Sequence, residues 1–179
     1  MKTNSPVNKT RVLALCSLMS ALGVIILYLG ALIEVLDLSM AVVASLFVIV
    51  AVIELGGIYP WLVYAVTAAL SLLLLPNKFG GAVYFAFAGF YPIIKEKLER
   101  VPGVICLVLK FIVFNLCLLA MYGVARLISV TLQLEYALWV IAVTLNLLFV
   151  LYDIALTRLI GAYVHVWRRR FKIDKWKLK

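Results

Sequence analysis

The chain has 179 residues, of which 66% are apolar and only 14% charged, with a formal net charge of +9. A soluble domain carries roughly 45–50% apolar and 25% charged residues, so the excess apolar surface must face something other than water. The uncharged runs match the ~30 Å hydrocarbon layer, which about 20 helical residues cross, and they identify an integral membrane protein.

The first apolar run, 12–33, follows a short basic stretch and stops at Glu34 and Asp37. It has no convincing cleavage site, so it is expected to be a retained helix rather than a signal peptide. The second run, 38–57, is interrupted only by Glu54. GGIYP then predicts a tight turn into a third helix, 60–76, with Pro60 in its first turn, where a missing N–H costs nothing. Pro76 in LLLLPNKFGG ends it. The fourth helix, 80–94, passes into GFYPIIKEKLER, where an aromatic run gives way to charge within three residues. Pro92 withdraws a donor from the Ala88 carbonyl and predicts a bend. VPG at 101–103 opens the fifth helix, 103–127, the sixth is 136–162, and a basic tail occupies 163–179. The expected fold is all-α: one polytopic transmembrane domain, 1–179, with six transmembrane helices.

Charge orients those helices. With both termini cytoplasmic, the inner segments hold Lys2, Lys9, Arg11, Lys95, Lys97, Arg100, Arg158 and the tail cations, leaving only Lys78, Lys110 and Arg126 of the 17 Lys and Arg elsewhere. That asymmetry is the positive-inside pattern, and it makes GFYPIIKEKLER the point where the fourth helix emerges into the cytoplasm.

An amide or ionisable group in hydrocarbon needs a partner. In an antiparallel hairpin of the last two helices, residues at equal depth have position numbers that add to a nearly constant value. Asn115 with Asn146, Arg126 with Glu135, and Lys110 with Asp153 all meet that condition. Helical phase puts Glu135, Asn146 and Asp153 on one face and Asn115 with Arg126 on another. Lys110 is out of phase with its helix-mates, so it is either the weak partner of Asp153 or a side chain that snorkels to the surface. Two roles stay open for these groups: hydrogen-bonded glue between helices, or a polar pocket lined by Asn115, Arg126, Glu135 and Asn146. Asn77, Lys78, Tyr84, Tyr136 and Trp139 lie near the same expected depth and would extend such a pocket, or serve as an interfacial aromatic belt. Glu54 is expected to pair with Lys95. Gly80 and Gly81 are expected to serve a turn.

Cys16, Cys106 and Cys117 sit inside apolar runs at spacings that fit no metal site and act as small packing residues. His165 is the only histidine, and no HExxH, GxSxG or phosphate-cradling loop is present. An enzyme is not expected, nor is a cofactor. The tail interleaves Trp167, Phe171 and Trp176 with cations. Directly after a membrane helix, that pattern points to lipid contact rather than nucleic acid.

The alanine- and serine-rich first helix (ALCSLMSALG, 14–23), the final helix FVLYDIALTRLI (149–160) before a basic end, and the length and helix count together resemble the membrane-embedded substrate-binding (S) components of energy-coupling-factor transporters. LLLPNKFGGAVYFAFAGFYPIIKEKLER also looks like a group of uncharacterised membrane proteins of Gram-positive bacteria. The first resemblance implies a multi-pass protein of the bacterial cytoplasmic membrane that captures a vitamin-like solute at its outer face. Uptake would be powered by a transmembrane coupling subunit and two ATPases. In that family an AxxxA pattern on the first helix meets the coupling subunit; here Ser17 and Ala21 form an SxxxA variant. The alternative function is a non-catalytic membrane scaffold, with polar pairs and small-residue faces serving assembly.

Overall fold

The computed structural model describes residues 6–101, 103–127 and 138–167, with side chains described throughout those ranges except at 6–8, 34, 124–127, 138–139 and 166–167. Helix α1 (Pro6–Leu32) leads through a single 3-10 turn, Glu34–Leu36, into α2 (Asp37–Glu54). Gly56 (φ 63°) and Gly57 (φ 60°) then take left-handed backbone, which a glycine enters without a Cβ penalty, and α3 (Tyr59–Leu74) follows. Leu75 is extended (φ −69°, ψ 137°). Proline at 76 disfavours helical backbone in the residue before it, and α3 stops there. Next come α4 (Lys78–Val83), one π-helical turn (Tyr84–Ala88) and α5 (Tyr91–Leu98). Helices α6 (Val104–Leu127) and α7 (Leu138–Ala162) complete the described chain, with a second π-helical turn at Tyr163–Trp167.

The chain divides into two compact units, with the boundary between Glu96 and Lys97. In the first, α1, α2 and α3 pack on one another, and α4 packs on all three. The buried face of α1 recurs every three or four residues: Val12, Cys16, Ser20, Gly23, Leu27 and Ala31. On α2 the buried set is Asp37, Ala41, Ala44, Ser45, Val48, Ile49 and Ala51, and on α3 it includes Val63, Thr67, Ala68 and Ser71. These are mostly small side chains. Lipid tails are as apolar as leucine, so apolarity alone does not bring helices together in a bilayer; close backbone approach and dispersion do. At Gly30 a Cβ would stand 2.7 Å from Met40 Cβ, which measures how closely α1 meets the start of α2.

In the second unit α6 and α7 form an antiparallel hairpin. The Phe149 ring stacks on Phe114 (centroids 4.5 Å apart, planes at 9°) and takes Phe111 edge-on at 5.5 Å. The outer faces of both helices carry exposed aliphatics, among them Ile105, Ile112, Leu116, Leu119, Val143 and Leu147.

Six crossings were expected, and the structure corrects that number. Among the described residues four helical stretches are long and apolar enough to cross a membrane: Lys9–Leu32, Asp37–Glu54, Val104–Gly123 and Val140–His165. The third predicted helix is apolar, but its 16 residues, trimmed by the glycine turn and by Leu75–Pro76, fall short. The fourth predicted helix, 80–94, is not continuous. It is split into α4, a π-helical turn and α5, with the break at Gly89 and Phe90 beside Pro92.

Candidate functional site

The polar groups of the second unit meet in layers along the α6–α7 hairpin. Asn115 Nδ2 donates to Asn146 Oδ1 (3.0 Å), and Asn146 Nδ2 donates back to Asn115 Oδ1 (3.2 Å). Each amide nitrogen also donates to the carbonyl one turn earlier in its own helix, Phe111 for Asn115 and Ala142 for Asn146, both at 2.9 Å. A primary amide has two N–H donors, so all four are consumed within the hairpin. Only oxygen lone pairs are left to meet a third group. The pair is built as a clasp.

One layer away, the Lys110 ammonium stands 2.9 and 3.2 Å from the two oxygens of Asp153 and 3.1 Å from Glu99 Oε1. Side-chain exposure is 12% for Lys110, 21% for Asp153 and 41% for Glu99, so the pair inside the hairpin is the better shielded one. Helical phase had marked Lys110 as the poor match. The contact forms because a four-carbon stem carries the charge around the helix while its methylenes remain in apolar surroundings. Glu99 was missed altogether. It lies in the connection before α6, outside the helical periodicity on which the sequence pairing rests.

Asn77, Lys78 and Tyr84 belong to the first unit. Asn77 caps α4, its Oδ1 accepting from the Phe79 backbone N–H at 3.0 Å. Its Nδ2 donates to Asp37 Oδ2, also at 3.0 Å. Lys78 Nζ donates to the Leu73 carbonyl at 3.1 Å, a cation at the C-terminal end of α3 where the helix dipole favours it. Tyr84 is fully buried. Asp37, read from the sequence as an outer flanking charge, is instead 3% exposed at the first position of α2, beneath Asn77. Gly80 completes this contact, since a Cβ there would lie 3.0 Å from Asp37 Oδ1; at Gly81 it would lie 3.2 Å from Ser71 Oγ. Both glycines are helical, so close approach explains them where a turn was expected. Lys95, expected where the chain enters the cytoplasm, is 1% exposed.

Glu135, Tyr136 and the tail from 168 onward lie outside the described residues, as do the side chains of Arg126 and Trp139. The proposed Arg126–Glu135 pair therefore has no geometry here.

On α1 the two SxxxA residues turn away from the core. Ser17 and Ala21 are exposed, together with Leu18 and Ile25, while Cys16, Ser20 and Gly23 face inward. The Ser17 hydroxyl donates to the Leu13 carbonyl (3.0 Å), which leaves its polar atom satisfied on this exposed face. Among the described residues no group of three or more His, Cys, Asp and Glu is placed to hold a metal ion.

The structure is thus an all-α protein with several long apolar helices, of the kind that make a polytopic membrane protein. No family model, curated protein or solved structure matches the chain.

Proposed function

We propose that this protein is a membrane-embedded solute-binding subunit of a transporter. It captures a small, vitamin-like molecule for uptake driven by ATPases in partner chains, as the likeness to substrate-binding components of energy-coupling-factor transporters implies. The observation that carries the proposal is the division of α1 into two faces. Cys16, Ser20 and Gly23 pack inward, whereas Ser17 and Ala21 lie exposed four residues apart, flanked by the exposed Leu18 and Leu22. Small-xxx-small faces let a second helix approach closely enough to gain dispersion contacts that lipid cannot match. A partner helix is the natural occupant in a chain whose sequence holds no ATP-binding motif of its own.

Native mass spectrometry of the complex purified from its own membrane tests this. A retained small molecule, together with a coupling subunit and ATPases that are lost in Ser17→Leu/Ala21→Leu, supports the proposal. An empty protein with a membrane partner and no ATPase refutes it.

A second reading is favoured by one observation. The amide donors of Asn115 and Asn146 are all spent inside the hairpin, which suits a scaffold whose polar groups serve assembly. Leucine at either position that leaves solute binding intact but lowers stability assigns these two residues to the clasp.

A further inference from the structure

π-Helical segments are rare, occur mostly as single turns inside α-helices, and are frequent at functional sites. The turn at Tyr84–Ala88 is closed by its own backbone and has two supports outside it, both from Tyr64. Gly89 N–H reaches back five residues to the Tyr84 carbonyl (2.8 Å), which displaces the usual four-residue pattern. The Tyr64 hydroxyl of α3 donates to the Phe85 carbonyl at 2.8 Å, supplying a bond from a side chain of another helix. The Tyr64 ring lies over the same turn: it stacks on Phe85 (centroids 6.4 Å, planes at 13°) and meets Phe90 edge-on at 6.2 Å. It also sits so near Gly89 that a Cβ there would be 2.6 Å from Tyr64 Cδ2 and 2.7 Å from Tyr84 Cε1. Just beyond, Pro92 has no N–H to give, and a fresh helix starts with Ile93 and Ile94 both donating to the Phe90 carbonyl.

The α4 flank is tied to α2, and the α5 flank carries a buried face that a change of register would move. On one side Asn77 ties the start of α4 to Asp37 (3.0 Å), and on the other Pro92, Ile93 and Lys95 of α5 are buried. A change of register at 84–90 is therefore passed on to α5 while the start of α4 stays anchored. A one-residue change of register in a helix turns the following part by about 100° and shifts it by about 1.5 Å.

We propose that residues 84–90 form a hinge between α4 and α5, latched by Tyr64. The hydroxyl holds the Phe85 carbonyl in the π-helical arrangement and the ring closes over Gly89. Releasing the latch lets the segment slip toward α-helical register and rotates α5. This conformational device does not depend on the identity of any solute.

Hydrogen–deuterium exchange of the full chain in nanodiscs tests it, comparing wild type with Tyr64→Phe and Gly89→Ala. Tyr64→Phe keeps the ring and loses one neutral hydrogen bond, so amides within 85–90 should exchange about fivefold faster. Amides of α2 at 41–51 should stay as they were. Gly89→Ala keeps the hydroxyl but pushes the ring away, and should accelerate the same stretch. Unchanged exchange at 85–90 in Tyr64→Phe overturns the latch, whatever Gly89→Ala does. Equal acceleration over 41–51 in either variant overturns the hinge, because it means the whole unit has loosened.

Discussion

Replacing Asn115 by leucine separates a clasp from incidental proximity. The change removes both interhelical bonds, at 3.0 and 3.2 Å, and strands Asn146 with one unused N–H and an undonated oxygen while its bond to Ala142 survives. Interhelical side-chain bonds in membranes are worth about 0.6 kcal/mol on average and up to about 1.7. Two of them lost together give about 1–3 kcal/mol, and Asn146→Leu should cost the same by symmetry. The double variant leaves no stranded amide and places two leucines face to face between helices already packed through Phe114 and Phe149. Its cost should therefore be no greater than that of either single change. A double-mutant cycle on reversible unfolding in detergent or bicelles would then give a coupling energy of at least about 1 kcal/mol, well beyond the ~0.5 kcal/mol within which independent sites add. Two single costs that simply add in the double variant would refute the clasp.

Lys110→Met leaves the Asp153 carboxylate without its shielded cation, and breaking such a pair from one side costs up to about 3–5 kcal/mol. Adding Asp153→Asn should restore most of that in the same unfolding assay. Gly30→Ala should destabilise by about 1–3 kcal/mol through overpacking, since its Cβ would meet Met40 Cβ at 2.7 Å; thermal denaturation reads this directly. In a background with Cys16, Cys106 and Cys117 replaced by alanine, cysteines placed at Val35 and Ile58, both well exposed, lie at opposite ends of α2. A membrane-impermeant maleimide should label one and spare the other in intact cells, and equal labelling would mean that α2 does not cross.

The α6–α7 clasp was legible in the sequence because it obeys helix arithmetic: two asparagines at matching depth on facing sides of a hairpin need no further information to find each other. Lys110 with Asp153 was half legible, since depth predicted the pair and phase argued against it; the length of a lysine stem decided the matter. Other features depend on contacts that no periodicity encodes. Asp37 looked like a flanking charge because it follows the first apolar run, yet it is covered by Asn77 and Gly80 from 40 residues or more along the chain. The break at 84–90 was visible only as Pro92. The π-helical turn ahead of it depends on Tyr64, 21 residues away from the carbonyl it binds. Counting crossings failed for the same reason. The apolar run at 60–76 and the run at 80–94 have the composition of spans, and backbone events at Leu75 and Gly89 cut them short.

The two units solve one physical problem in different proportions, and the difference bears on function. In the second unit amides and charges are carried into the apolar layer and neutralised side chain to side chain, so the hairpin is held by bonds of fixed direction. In the first, two buried hydroxyls fold back on their own helices, Ser45 to the Val42 carbonyl and Ser71 to Ala68, while the buried Asp37 carboxylate accepts from Asn77. Among α1, α2 and α3 the close contacts are made by alanines and glycines, with Ser20 to Val63 as a long contact of 3.4 Å, whereas α4 is tied to α2 through Asn77 and Asp37. Small-residue contacts resist sliding less than paired charges do, because dispersion between smooth faces changes little over a short shift while a hydrogen bond weakens steeply with angle. Movement should therefore be concentrated in the first unit, which also carries the exposed Ser17 and Ala21 face and the latched turn at Tyr84–Ala88. A partner helix docking on that face would act on the deformable part of the molecule and leave the hairpin rigid.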